Sequence, residues 1–240
     1  MNNLTSLLGP AVIAAAISGT ISVIALLLSL RTTKLIHTER LTFERNQIEN
    51  KFRSDIALAE KKLELDRALA DWKRQTELAE QVLSDFYRAR DLFMAARSPG
   101  SFPGEGATRP QDDNESKSDA EHLNAIYAPF ERLTKNNSFF ADLHARRYRF
   151  MALFGTEAAQ PFDLLRAAHS EIFTATEILL EEENALRLER RSPTAPEYIK
   201  EFKATIWRSH ASKDIITPML DTAVATIEKI CRTVLEVRPQ

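Results

Sequence analysis

Between Leu7 and Leu30 the chain reads "LLGPAVIAAAISGTISVIALLLSL", without one charged side chain. Roughly 20 consecutive apolar residues are needed to cross a bilayer core of about 30 Å. A secretory signal would open with basic residues, keep a shorter apolar stretch and end at a small-residue cleavage site. Here "MNNLTS" carries no charged side chain, and "LSLRTTK" is a poor cleavage context. The core helix of a soluble domain rarely stays uncharged for so long. Residues 7–30 are therefore predicted to be a single transmembrane helix whose first partner is the lipid bilayer. Arg31, Lys34, Arg40 and Arg45 follow the segment and no basic side chain precedes it. Basic flanks stay on the cytoplasmic side, so residues 1–6 are expected outside a plasma or inner membrane and the rest of the chain in the cytoplasm.

The small residues of this segment are spaced regularly. Ala11, Ala15, Ser18, Ser22, Ala25 and Ser29 alternate steps of four and three, and Gly19 pairs with Ala15 in a small-xxx-small arrangement. In lipid, helices associate by close backbone approach and interhelical hydrogen bonds, which such a seam permits. A homo-oligomer is the expected consequence.

No Gly or Pro occurs between Arg31 and Ser98. Residues 31–71 are dense in helix formers of both charges and predict a helical stalk, with a coiled-coil seam as one way to stabilise it. A thin apolar stripe runs through Leu41, Ile48, Phe52, Ile56, Ala59 and Leu63, with a stutter between Phe52 and Ile56. From Leu65 the spacing of four and three is regular through Leu69, Trp72, Thr76, Ala79, Leu83 and Phe86. The apolar face then widens, as in a helix that joins a bundle.

Six glycines in the whole chain and helical periodicity elsewhere argue for an all-α protein. Residues 72–237 are expected to form a cytoplasmic helical bundle with a flexible loop at 98–118. Composition predicts disorder near Gln111 to Ser118. "PGEGATRP" superficially suggests a phosphate cradle but lacks the Lys-Ser/Thr ending and the preceding strand of a P-loop. Ser118 with Glu121, and Thr194 with Glu197, have capping-box spacing. Pro129 should kink or split its helix, Gly155 should end the next, and Pro161 should open a long helix reaching about Arg191. A last helix is expected from about Asp214 to Val237.

Motifs for chemistry are sparse. Arg147 falls within the apolar face of "FFADLHARRYRFMALF", where a charge needs a partner. Glu182 and Glu183 are the expected partners in a buried ion pair. His144, Arg146 and Arg149 with Tyr148 make a small basic-aromatic patch. The five histidines lack the short helical spacing of a metal site, and Cys231 belongs to an apolar stripe with Ile227, Ile230 and Val234. One cysteine excludes an internal disulfide framework. No nucleophilic triad or nucleotide fingerprint is evident, so no cofactor, metal or catalytic residue is assigned. The nearly even balance of 32 basic and 34 acidic residues gives no reason to expect a nucleic-acid partner.

These features predict a membrane-anchored scaffold, adaptor or sensor that self-associates and presents its bundle to a cytoplasmic protein. The alternatives are a membrane-perturbing effector regulated by that bundle, and an enzyme with a site around Arg147, His169 and Glu183. Replacing Ala15, Ser18 and Ser22 together by Leu is expected to reduce oligomer size in detergent. Sedimentation measures this, and an unchanged oligomer removes the seam.

Overall fold

The computed structural model describes residues 9–112, 115–188, 195–208 and 214–236. Among the described residues there are six α-helices, one 3₁₀ turn and no strand. The helices are α1 (Pro10–Ala96), α2 (Lys117–Thr134), α3 (Asn137–Phe154), α4 (Gln160–Arg187), α5 (Pro196–Ile206) and α6 (Ile216–Leu235). The 3₁₀ turn (Thr156–Ala159) joins α3 to α4. The chain divides into two compact units, residues 1–67 and 68–240. α1 contributes to both, and each unit is described by itself.

In the first unit α1 is uninterrupted, as the absence of Gly and Pro after Gly19 allows. Every described side chain from Val12 to Arg67 is exposed. By length and composition this is the one described helix apolar enough to cross a membrane, and none of its apolar stretch is buried within the chain.

The second unit is a packed helical bundle. Its part of α1 buries Leu78, Ala79, Val82, Phe86, Ala89, Phe93 and Ala96, a single face at helical spacing. α4 supplies Phe162, Leu165, Ala168, Ile172, Ala175 and Leu179, while α6 supplies Ile216, Leu220, Ala223, Val224, Ile227 and Cys231. α4 packs against α2, α5 and α6. Phe86 meets Phe162 edge-on at 4.9 Å between ring centres, and Phe93 meets Phe140 at 5.3 Å. The interleaved alanines let the helix backbones approach while the rings fill the remaining space.

Several boundaries follow local chemistry and several do not. α3 ends at Gly155, whose φ of 92° is a conformation that suits glycine, and Pro161 lies in the first turn of α4. Pro129 does not split α2, which continues to Thr134. The cap of α2 is Ser116, whose hydroxyl accepts from the Asp119 N–H at 3.1 Å, so the box expected at Ser118 starts two residues too late. Thr194 lies outside the described residues, and α5 begins at Pro196 without a side-chain cap. α4 ends at Arg187, short of the expected Arg191, which lies outside the described residues. α6 begins at Ile216 and ends at Leu235, within the expected Asp214 to Val237.

Charged side chains bond across the loop after α1. Arg132 donates to the carbonyls of Ala96 at 3.1 Å, Ser98 at 3.1 Å and Gly100 at 2.6 Å, and also pairs with Glu105. It thereby satisfies carbonyls that the end of α1 leaves open. The enclosed side chains of Arg109 and Glu115 bond to each other, and Arg109 also donates to Asn124 at 2.8 Å. Gly106 donates its N–H to Glu131. A Cβ at Gly106 would lie 2.0 Å from the Asn124 carbonyl oxygen, so only glycine permits this approach. Within the stretch 111–118, Glu115 is bonded to Arg109, Ser116 caps α2 and Lys117 opens it.

The most enclosed charge in this unit is Arg97, fully buried just past α1. Its Nε donates to the Thr205 carbonyl at 2.8 Å and its Nη2 to the Ala204 carbonyl at 2.8 Å, both in the last turn of α5. The same guanidinium holds Asp214 at 2.7 and 3.3 Å and Thr217 Oγ1 at 3.2 Å. Asp214 in turn accepts the N–H groups of Ile216 at 3.0 Å and Thr217 at 3.1 Å, capping α6. One side chain thus joins the ends of α1 and α5 to the start of α6. Arg97→Ala leaves a partly buried carboxylate and two open carbonyls, and should destabilise the bundle by about 3 kcal/mol in denaturant unfolding. A loss below about 0.5 kcal/mol would show that the three helix ends hold without it.

Candidate functional site

Within the first unit, the candidate site is the apolar surface of α1 itself. Ser22 donates its hydroxyl to the Ser18 carbonyl at 2.8 Å, Thr20 to Ile17 at 2.8 Å and Thr33 to Ser29 at 2.8 Å. These polar groups are satisfied by their own helix, the requirement for a helix in hydrocarbon. Ala15, Ser18, Gly19, Ser22, Ala25 and Ser29 are all exposed, as are Arg31, Lys34, Arg40 and Arg45. Ala11 lies in α1, and its side-chain surroundings are outside the described ones. Arg40 bonds Glu44 at 3.0 Å and Arg53 bonds Glu49 at 2.6 Å along the same helix. Such exposed pairs contribute only a few tenths of a kcal/mol.

The small-residue seam and the stalk's apolar stripe do not share a face. At about 100° per residue, the seam centred on Ser18 and Ser22 lies roughly 140° around the helix from the stripe Leu41, Ile48, Phe52, Ile56 and Leu63. A coiled coil that simply continued the seam would therefore rotate away from the stalk's own apolar residues.

In the second unit, the charges singled out in the sequence have other partners. Arg147 bonds Asp163 at 3.0 Å, near the start of α4. Glu182 and Glu183 lie nineteen and twenty residues further along that helix, about 28–30 Å away. The expected pair of Arg147 with Glu182 or Glu183 is replaced by Arg147 with Asp163. Glu183 instead faces His122 at 3.4 Å and Lys203 at 3.5 Å, and Glu182 is buried. Arg147, His169 and Glu183 consequently do not converge on one catalytic point. The basic-aromatic patch is divided as well: Arg146 turns to Asp85 of α1 at 2.6 Å. His144, Arg147 and Tyr148 line an open hollow with Asp163 and Arg166.

Two further side chains have unusual surroundings. Cys231 is buried and donates its thiol to the Ala79 carbonyl at 3.5 Å, and burial raises its pKa to about 11. At neutral pH it is a small apolar residue rather than a thiolate. His169 sits among Phe93, Phe140 and Phe173, with ring centres 5.9, 4.8 and 4.4 Å away. Its Nε2 is buried without a hydrogen-bond partner among the described residues. Burial, with a smaller contribution from the charge of His144, lowers its pKa to about 4. Among the described residues no group of three or more His, Cys, Asp or Glu is placed to hold a metal ion.

The groups missed in the sequence are Arg97, Arg109 and Arg132. Arg97 had a visible signal: it follows Phe93 by four residues, in line with the buried face of α1 just past its end. No protein-family model, curated protein or solved structure matches the chain.

A histidine with a lowered folded pKa takes up its proton more readily when unfolded. Stability should therefore fall as pH drops from about 6.5 towards 4, by as much as about 3 kcal/mol. His169→Leu should flatten that part of the profile in unfolding measured across this range. An unaltered profile would assign the acid sensitivity to other groups.

Proposed function

We propose that this chain is a single-pass membrane-anchored scaffold, adaptor or sensor. Residues 7–30 span the bilayer, the short N-terminal segment lies outside, and the basic residues from Arg31 onward keep the remainder in the cytoplasm. The membrane helix packs against other copies along Ala11, Ala15, Ser18, Ser22, Ala25 and Ser29. The stalk then presents the bundle near the inner face of the membrane to a protein partner.

One observation carries this reading. The apolar side chains of Val12 to Leu30 are all exposed, with nothing among the described residues covering them, and the first charged side chains appear at Arg31. A run of that length left in water would aggregate, whereas lipid satisfies it without a partner. The internally bonded hydroxyls of Thr20 and Ser22 fit the same environment. In the bundle, the buried charges Arg97 and Glu131 bond a helix end and loop backbone, and Arg109 bonds Glu115, Asn124 and the Pro110 carbonyl, which suits a rigid presenting domain.

The test is fractionation of the full chain combined with a reporter at its C-terminus. The protein should sediment with membranes, resist carbonate extraction and be released by detergent, and the reporter should be active only as a cytoplasmic fusion. A freely soluble chain would remove the anchor. An exported reporter would reverse the orientation.

A further inference from the structure

The stalk's apolar stripe is fully exposed: Ile48 and Phe52 show 70% and 64% of their surface, and Leu41, Ile56 and Leu63 are exposed too. What covers it can be read from the charges beside it. On helical geometry, Glu44 flanks the stripe on one side and Glu49 on the other, forming an acidic band. Lys51 and Arg53 form a basic band about six residues on. Asp55 and Glu60 restore the acidic sign, and Lys62 with Arg67 the basic one. Each band has the same sign on both flanks, and the signs alternate at intervals of about 9 Å.

A second copy fits this surface poorly. Two chains anchored in one bilayer with the same orientation lie parallel and level, as the membrane reading above requires. In a parallel, level pair, Glu44, Asp55 and Lys62 each meet the opposite flank five residues on. Glu44 then meets Glu49, Asp55 meets Glu60, and Lys62 meets Arg67. Within the stripe Arg45 would face its own copy, as would Asp66 at the far end. Sliding one helix by a single band would bring opposite signs together, but the shared depth of the two anchors opposes that shift. The seam adds an independent geometric argument. Copies packed through Ser18 and Ser22 turn their stalk stripes away from the contact, because the two faces lie roughly 140° apart.

We propose that the stripe from Leu41 to Leu63 is a docking surface for an amphipathic helix of a different protein. Read outward from the membrane end, that helix carries basic, acidic, basic and acidic flanks around an apolar seam. Apolar burial against Ile48, Phe52 and Ile56 supplies the attraction, and the bands select the partner and its level along the stalk. This rests on the anchored topology proposed above, which makes level parallel copies the relevant alternative.

The experiment uses the full chain in membranes or reconstituted in nanodiscs, with two synthetic peptides spanning residues 38–70, each joined at its N-terminus to a doubly acylated lipid anchor so that it lies parallel and level with the stalk. One has the native sequence; in the other the eight band residues exchange acidic for basic side chains and the reverse. The band-exchanged peptide should bind at least tenfold more tightly than the native one. Its binding should be lost in the variant carrying Phe52→Asp and Ile56→Asp. Equal binding of the two peptides, tighter binding of the native peptide, or no binding of either overturns the proposal. In the same membranes, oxidation of a Phe52→Cys variant should give no disulfide-linked dimer, and an efficient dimer also overturns it. Sedimentation of that preparation reports separately whether the anchor itself holds.

Discussion

The bundle depends on one buried guanidinium. Arg97 brings a positive charge out of water, and that is tolerable only because Asp214 and the carbonyls of Ala204 and Thr205 surround it. The same contacts close the end of α5 and the start of α6, which would otherwise expose polar backbone to an apolar interior. Burial of the carboxylate works against its charge, but hydrogen bonds from Arg97 and Thr217 outweigh it and hold Asp214 below the usual carboxylate range. Apolar faces of α1, α4 and α6 provide the nonspecific attraction between helices. Arg97 fixes where along their lengths α1, α5 and α6 meet.

A related division of labour runs through the loop after α1. Its Gly and Pro content permits tight turns, but permission is not a structure. Arg132 gathers the carbonyls at the end of α1, and Arg109 holds Glu115 close to the start of α2. The phosphate-cradle resemblance of "PGEGATRP" dissolves for a concrete reason: the Gly106 N–H that would face a phosphate donates to Glu131.

What could be read in the sequence was what local chemistry determines. The uncharged run, the end of α3 at Gly155 and the start of α4 near Pro161 each depend on a few neighbouring residues. The partner of Arg147 could not be read in this way. Periodicity identifies the face a residue occupies but not its height against another helix, and Asp163 and Glu182 are both on α4, about 28 Å apart. The pairing of Arg109 with Glu115 is likewise invisible to a measure of average polarity. Arg97 was legible in principle, since its position four after Phe93 put it on the buried side.

The burial of Cys231 has a practical consequence. It is the chain's sole thiol, sealed between α6 and the Ala79 backbone and kept protonated by its surroundings. A maleimide reagent gains access to it only when α6 lifts away from α1. The rate of its alkylation therefore serves as an intrinsic stopwatch for opening of that helix pair, while cysteines installed on the exposed stalk can be labelled against a silent background.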